Sequence, residues 1–363
     1  MKLLHVITML DTGGAERLMV DLLPMLKVKG YNVDILLLDG VETPFKEDLK
    51  KQGIRIIELA RGVDVNDRTR IYNPYNIIKL RKFIRRYDII HTHNTASQFF
   101  VPLSKVLTCA KSFLVTTEHN STNRRRNIRW FKPLDKWMYN QYDAIICIAD
   151  QTKINLEKYL GRTNGISTIY NGVDLRRFIQ PIKDISSNYE IIISMVSAFR
   201  EQKDHATILK AMKHLPHNYH LQLIGEGETE TRMKALCHDL GLDDTVSFLG
   251  NRTDVPEILK DSDIIVLSSH WEGLSLSSIE GMASGRPFLA SDVDGLREIV
   301  KDAGILFPEG DERALARIIM DLCNDPYLYR QVASSCQERA RKYDISAMVN
   351  GYDNLYKSLK NLN

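Results

Sequence analysis

The sequence lacks a cysteine framework, a long hydrophobic run and internal repeats. Its five cysteines are odd in number and far apart, and none forms a Cys-x-x-Cys pair, so the pattern indicates neither disulfides nor a zinc site. No stretch approaches the roughly 18 apolar residues of a membrane-spanning helix. The apolar run at residues 1–10 is too short and interrupted for a signal peptide, and it predicts a first buried strand. We therefore expect a soluble, cytoplasmic protein.

Length and charge suggest two dissimilar halves. The chain has 363 residues, which favours two domains, and its 44% hydrophobic and 26% charged residues are ordinary for a globular protein. Residues 1–185 carry 30 Lys and Arg against 19 Asp and Glu, whereas residues 186–363 carry 19 against 27. The basic front half could attract an anionic membrane or a phosphorylated acceptor, or the asymmetry could be ordinary surface variation. The acidic back half and the absence of a recognition motif argue against nucleic-acid binding.

Short apolar runs alternate with helical patterns along the whole chain, which predicts parallel sheets built from βαβ units. A polar, proline-containing stretch, Val173–Asn188, predicts a linker, with a full set of strands on each side. We therefore predict an α/β fold of two doubly wound, Rossmann-like domains facing across a cleft. The predicted strands are Leu3–Met9, Asn32–Leu38, Ile54–Leu59, Asp88–His91, Phe113–Thr117, Ala144–Ala149, Ile166–Tyr170, Ile191–Val196, His220–Ile224, Val246–Leu249, Asp263–Leu267, Pro287–Ala290 and Gly304–Phe307.

Two carboxylates lie eight positions apart, at Glu272 and Glu280, between an apolar strand and a small-residue helix that we place at Glu280–Gly285. Ligands of open α/β sheets bind just beyond the carboxyl ends of the strands, where both acids would lie. Carboxylates close to backbone N–H groups suit a ligand that is both hydroxylated and phosphorylated, such as a nucleotide-activated sugar. Ser277 and Glu280 also fit a helix capping box, which is the structural alternative for Glu280.

Other candidate residues follow the first strand of each predicted domain. Gly13 and Gly14 open the first helix, where glycines and free N–H groups could admit a phosphate, although a plain tight turn is equally compatible. Arg200 and Lys203 follow the first strand of the second domain and could neutralise a leaving diphosphate without a metal ion, although cations are also common on the surface of such loops.

Three histidines follow apolar runs of the first domain: His91, His93 and His119. A histidine there can donate to a sugar hydroxyl or stabilise developing charge, and His119 is the best candidate. An ordinary structural hydrogen bond is the alternative for each.

Two Asp-x-Asp triplets and two basic segments complete the candidates. Asp261 and Asp263 precede a strand, at the wrong end for a site, while Asp292 and Asp294 could line the cleft; we assign no metal to either. The basic helix at Asn76–Arg86 is expected to be a solvated face over a core stripe. The segment 124–132 interleaves cations with aromatic residues and is the better candidate for contact with an anionic membrane.

Taken together, four motifs resemble the retaining GT-B glycosyltransferases of family 4, nearly end to end. They are the Gly-Gly-Ala-Glu turn at 13–16, the Tyr-Asn-Gly-Val-Asp run at 170–174, the Glu-x7-Glu pair, and residues 300–308. The resemblance implies an acceptor domain at 1–175, a donor domain at 186–345, and a last helix, within 346–363, that crosses back onto the first domain. It also implies a metal-independent enzyme with no cofactor.

The resemblance further implies roles for individual residues. Glu280 would bind the donor ribose, Glu272 the sugar, and the backbone N–H groups of Leu274, Ser275 and Leu276 the diphosphate. His119 would lie next to the transferred sugar, Gly14 beside the phosphates, and Lys203 on the phosphates. Many relatives carry arginine where this chain has Ala198, so Arg200 would take its place.

The sequence therefore predicts a hexosyltransferase that moves a sugar from a nucleotide-diphosphate sugar to a hydroxyl of a glycan or lipid-linked acceptor. Such a reaction belongs to surface polysaccharide biosynthesis at the cytoplasmic face of the membrane. Two alternatives share the scaffold: a nucleotide-sugar epimerase, and a nucleotide-sugar-binding protein that is catalytically inactive because of Ala198.

Overall fold

The computed structural model describes residues 1–11, 14–62, 69–119, 126, 128–185 and 190–361. The chain forms two compact units, one comprising Met1–Gly172 with Ile345–Asn363 and the other Val173–Asp344. Each unit contains one parallel β-sheet with helices in its crossover connections. Strands made of consecutive buried residues, such as Ile264–Leu267, are typical of parallel sheets that are covered on both faces.

The first unit contains a seven-stranded sheet with the order β3-β2-β1-β4-β5-β6-β7. Along β1, Leu3 and Ile7 pack into one hydrophobic core while Leu4 and Val6 pack into another, because alternate side chains point to opposite faces. The strands are β1 Lys2–Ile7, β2 Asn32–Leu37, β3 Arg55–Glu58, β4 Ile89–His93, β5 Phe113–Glu118, β6 Ala144–Cys147 and β7 Ile166–Thr168. Its first six helices are α1 Gly14–Val28, α2 Pro44–Lys51, α3 Tyr75–Ile84, α4 Thr95–Thr108, α5 Lys132–Tyr139 and α6 Asp150–Leu160.

The second unit contains a six-stranded sheet with the order β10-β9-β8-β11-β12-β13. Its strands are β8 Ile191–Val196, β9 Tyr219–Ile224, β10 Val246–Gly250, β11 Ile264–Leu267, β12 Phe288–Ser291 and β13 Ile305–Phe307. Its helices are α7 His205–Met212, α8 Glu230–Asp239, α9 Val255–Asp261, α10 Leu276–Ala283, α11 Leu296–Val300, α12 Glu312–Asn324 and α13 Pro326–Arg341.

The last helix, α14 Ile345–Lys360, belongs to the first unit. Its buried residues recur at helical spacing and join the same core as α1 and β1; they are Ile345, Met348, Val349, Tyr352, Tyr356 and Leu359. This stripe brings two tyrosine hydroxyls, those of Tyr352 and Tyr356, into the interior of the unit.

The prediction of two doubly wound, parallel α/β sheets is confirmed. In both sheets the chain order reverses next to the first strand, between β1 and β4 in one and between β8 and β11 in the other. The carboxyl ends of these strand pairs are the places where such sheets leave a crevice. Among the described residues there is no helix with the length and apolar character needed to cross a membrane.

Candidate active site

In the second unit, the reversal point brings together the loops after β8 and β11. Lys203, from the first loop, donates a hydrogen bond to the carboxylate of Glu272, from the second. Their side chains are 16% and 6% exposed, so the ion pair is largely removed from water. An ammonium group has three N–H donors, and the pair uses one of them, so donors remain for a ligand.

The Glu272 carboxylate is held by further donors and by its backbone. Ser269 Oγ donates to it over 2.7 Å and Gln202 Nε2 over 3.3 Å. Gly295 has a φ of +85°, and a Cβ there would lie 2.3 Å from the Gly273 carbonyl oxygen. Only glycine permits this contact without strain. The backbone at Gly295 therefore packs directly against the loop that carries Glu272 and holds it in place.

Helix α10 begins directly after this loop and leaves backbone donors at its start. The N–H groups of Leu274, Ser275 and Leu276 have no acceptor among the residues that the structure describes, and the first two residues are buried. Unpaired N–H groups at a helix N-terminus attract anions through the helix dipole. The arrangement can hold a phosphate next to Lys203.

The helix start differs from the prediction. We expected it at Glu280, whereas α10 runs from Leu276 to Ala283 with Ser275 at the N-cap position. Glu280 is therefore the fifth residue of the helix, so the alternative of a capping box formed with Ser277 is wrong. Glu280 is half-buried and lies one helical turn beyond the free N–H groups.

The remaining predicted phosphate ligands are more exposed. Arg200 is exposed and precedes the short 3₁₀ turn Glu201–Lys203. Its side chain does not join the Lys203–Glu272 pair among the described contacts. Gly14 is the exposed first residue of α1, and a Cβ there would meet no atom within 4 Å. Gly13 lies outside the described residues.

In the first unit, His119 lies just beyond β5 and contacts a cluster of three histidines, His5, His91 and His93. Its Nε2 is 3.0 Å from Nδ1 of His93, whereas its Nδ1 is buried without a partner in the described part of the chain. Burial lowers the pKa of His119 to about 4, so the ring is neutral at neutral pH. His91 is fully buried and bonded to Thr117 and Tyr356, which favours the structural alternative for this residue.

The acidic triplets have ordinary structural partners. Asp263 accepts from the Ile192 N–H group over 2.8 Å and pairs with Lys183 over 2.8 Å, as suits the polar start of a strand. Asp292 and Asp294 both pair with Arg297.

The membrane prediction for the segment 124–132 requires a correction at Arg126. Its guanidinium lies 2.8 Å from the Glu118 carboxylate, with 8% of the side chain exposed, because Glu118 is a buried acid that needs a cation. Arg126 therefore faces inward and is not available to lipid headgroups. Arg124 and Arg125 lie outside the described residues.

The sequence did not predict Gln202 and Ser269 as partners of Glu272, or His5 as a member of the histidine cluster. Gln202 and Ser269 are neighbours of predicted residues and could have been found from their position at the strand ends. His5 lies within β1, where its register opposite His91 on β4 brings it into the cluster. No local motif marks it.

Comparisons with known proteins agree with this architecture. A model of glycosyl transferases group 1 matches residues 176–343, and a model of glycosyltransferase family 4 matches residues 12–177. The UDP-Gal:alpha-D-GlcNAc-diphosphoundecaprenol alpha-1,3-galactosyltransferase of Escherichia coli is 24% identical over 375 residues, covering 97% of this chain and 93% of that protein. A Campylobacter jejuni alpha-1,4-N-acetyl-D-galactosaminyltransferase, whose name includes an undecaprenol-linked acceptor, is 24% identical over 392 residues, or 99% of both.

Among solved structures, Anabaena HepE in complex with UDP has the same fold, with a TM-score of 0.85 and 19% identity over 99% of this chain and 100% of that one. The two family models together span both units, from residue 12 to residue 343. The chain belongs to the GT-B glycosyltransferases of group 1 and family 4.

Proposed function

We propose that this chain transfers a hexose from a nucleotide-diphosphate sugar to a hydroxyl of a glycan or lipid-linked acceptor, with retention of anomeric configuration. The names of the Escherichia coli and Campylobacter jejuni relatives include undecaprenol-linked acceptors, and the Anabaena neighbour was crystallised with UDP. Such a reaction would serve surface polysaccharide synthesis at the cytoplasmic face of the membrane.

The observation that carries the proposal is the anion site at the reversal point of the second unit. Lys203 supplies a cation held in place by Glu272, and the start of α10 supplies N–H donors. A diphosphate needs such charge and donors both when it binds and when it leaves. These groups, with the exposed Arg200 as a second cation, would stabilise the departing nucleoside diphosphate without a metal ion.

The acidic groups suit the hydroxyl groups of the donor. Glu280 lies on α10 beyond the N–H groups and would accept from the ribose, while Glu272 would accept from the sugar. His119 of the first unit would donate to a substrate hydroxyl through its buried, unpartnered Nδ1. Gly13 and Gly14 would allow close approach of a backbone to the substrate.

Binding of UDP and of uridine tests the anion site. Calorimetry on Lys203→Met should show UDP affinity reduced by about tenfold or more, the effect of losing a charge-assisted hydrogen bond. Because uridine lacks the diphosphate, the affinity of the variant for uridine should be unchanged. Unchanged uridine binding would also show that the variant is folded. Equal losses for both ligands would contradict the assignment of Lys203. A parallel screen with GDP identifies the base.

Turnover with labelled donors tests the reaction itself. The assay uses an α-linked donor and a diphosphoundecaprenol-linked acceptor. NMR of the product should show an α-linkage, as retention of configuration requires. An altered sugar in the absence of acceptor would indicate the epimerase alternative instead. Binding of UDP without transfer or hydrolysis of the sugar would indicate the other alternative, a catalytically inactive binding protein.

Peripheral membrane contact is a separate part of the proposal, and helix α3 offers a second candidate surface besides the segment 124–132, whose Trp130 is 77% exposed. Tyr75 and Ile78 are 56% and 52% exposed on this helix, next to the exposed cations Arg81 and Lys82. Aromatic and apolar side chains beside cations suit the headgroup region of an anionic bilayer.

Sedimentation with phosphatidylglycerol vesicles tests this contact. The double change Arg81→Glu and Lys82→Glu should abolish binding at low salt, because each cation near the surface contributes about 1 kcal/mol. Lys210→Glu with Lys213→Glu changes the charge equally on exposed positions of the second unit and should have little effect. Equal losses in both variants would indicate a response to net charge alone.

A further inference from the structure

A continuous chain of hydrogen bonds leads from His119 into the interior of the first unit. Nδ1 of His93 is 3.0 Å from Nε2 of His119, and Nε2 of His93 is 3.0 Å from Nδ1 of His5. The rings of His5 and His93 are inclined by only 10°, with centroids 5.3 Å apart. This is the geometry of two imidazoles joined in line by one N–H···N bond.

The chain continues through α14. Nε2 of His5 lies 3.5 Å from the Tyr356 hydroxyl, which is 2.6 Å from Nδ1 of His91. Nε2 of His91 is 2.7 Å from Oγ1 of Thr117, and that oxygen is 3.3 Å from the Tyr352 hydroxyl. Tyr352 is fully buried and forms the inner end of the chain.

These rings do not form a metal site, although nitrogens of His5, His91 and His93 lie within 4.8 Å of one another. A metal ion needs lone pairs that converge on one point. Here His5 and His93 face each other, and both nitrogens of His91 bond to hydroxyl groups. Burial lowers the pKa of His5 to about 3 and holds the pKa values of His91 and His93 well below their usual range, so the three rings are neutral and each carries one donor and one acceptor.

The direction of the hydrogen bonds follows from the inner end. Within the described residues, the Tyr352 hydroxyl has Thr117 Oγ1 as its one acceptor. If Thr117 donated to Tyr352 instead, the Tyr352 hydroxyl proton and the bare Nδ1 of His119 would both be buried without a partner, whereas the opposite direction leaves only the Nδ1–H group of His119. Tyr352 therefore donates to Thr117, and each later group must donate outward in turn: Thr117 to His91, His91 to Tyr356, Tyr356 to His5, His5 to His93, and His93 to His119.

We propose that this chain fixes His119 in the tautomer that carries its proton on Nδ1, so that His119 presents a hydrogen-bond donor to the substrate. Nδ1 is the buried nitrogen with no partner among the described residues. Tyr352, Tyr356 and His93 are positioning residues that act through His119. The benefit to catalysis rests on the proposed function, since a sugar hydroxyl would accept this N–H group; the tautomer itself does not.

Ring ¹⁵N NMR on the full chain, labelled with ¹⁵N-histidine and without ligand, measures the tautomer directly. The signals of His119 are assigned by their loss in His119→Gln. At pH 7 we expect a protonated Nδ1 and a bare Nε2 for His119, and the same pattern for His5, His91 and His93. A proton on Nε2 of His119 would overturn the proposal, whatever the protein transfers.

The variant His93→Asn separates the chain from local effects. The amide can present either its oxygen or its NH2 group to Nε2 of His119, so it no longer selects one tautomer. We therefore expect the Nε2–H tautomer of His119 to become populated beside the Nδ1–H tautomer, and kcat for transfer to fall by about two- to tenfold with the affinity for UDP unchanged. Tyr31→Phe is the matched control, because it removes a buried hydroxyl that bonds to Asp353 outside the chain. A His119 tautomer that is unchanged in His93→Asn would show that the chain does not set it. A shifted tautomer with unchanged kcat would count against His119 in the proposed function while leaving the chain's effect on the tautomer intact.

Discussion

The Lys203–Glu272 pair makes a measurable prediction about stability. Replacing Lys203 by Met leaves the Glu272 carboxylate, 6% exposed, without its cation. Breaking a fully buried pair costs about 3–5 kcal/mol. Here Ser269 and Gln202 still donate to the carboxylate and Lys203 is partly exposed, so we expect a loss of about 2–3 kcal/mol in the free energy of unfolding.

A double-mutant cycle isolates the interaction. Urea unfolding of Lys203→Met, Glu272→Gln and the double variant should give a double-variant loss smaller than the sum of the two single losses by about 1.5 kcal/mol, because the neutral glutamine no longer needs a cation. Arg252→Met is the matched control, since it breaks an exposed pair with Asp254 and should cost less than about 0.5 kcal/mol. Additive losses within about 0.3 kcal/mol would refute the coupling of Lys203 with Glu272.

Three further predictions concern the backbone, pH and metal ions. In urea unfolding, Gly295→Ala should lower the free energy of unfolding by about 2–4 kcal/mol, because the residue has a positive φ and its new Cβ clashes with Gly273. Gly310→Ala is the control: its φ is +72° but its Cβ would meet no atom, so the loss should be about 1–2 kcal/mol. Burial lowers the pKa of His5 to about 3, so the unfolded chain binds the extra proton and stability falls as pH drops below about 6.5. In His5→Gln, the slope of the free energy of unfolding between pH 6 and 5 should be shallower by about 1.4 kcal/mol per pH unit, and an unchanged slope would contradict burial of a neutral His5. Sugar transfer should persist in excess EDTA because, in the proposed function, Lys203 and the N–H groups at the start of α10 would serve the phosphates, and loss of activity that Mg²⁺ restores would contradict this.

Much of the fold could be predicted because its strands are buried on both faces. A strand such as Ile264–Leu267 is then a continuous apolar run, bounded by polar loops, that needs no alternation to be recognised. The start of α10 could not be placed in the same way. Ser275, at the N-cap, makes no capping hydrogen bond with its side chain, so the local pattern favoured the glycine- and alanine-rich stretch that follows.

The candidate site was predictable where its residues follow apolar runs in the sequence, and not where contacts between distant segments bring them together. Lys203 and Glu272 both follow strands at the reversal point, so topology alone brings them together. His5 and Tyr356 are 351 positions apart and meet only because β1 pairs with β4 and α14 packs over them. The inward direction of Arg126 was equally hidden, since its buried partner Glu118 belongs to β5.

The same topological position is electrostatically different in the two units. In the second unit a charged pair and free N–H groups lie at the reversal point, and they can balance a diphosphate. In the first unit the corresponding position holds neutral histidines, whose burial lowers the pKa of His119 to about 4. A neutral imidazole provides little charge for a phosphate but can donate a directed hydrogen bond without attracting a competing anion. Under the proposed function, phosphate binding would therefore fall to the second unit and hydroxyl recognition to the first.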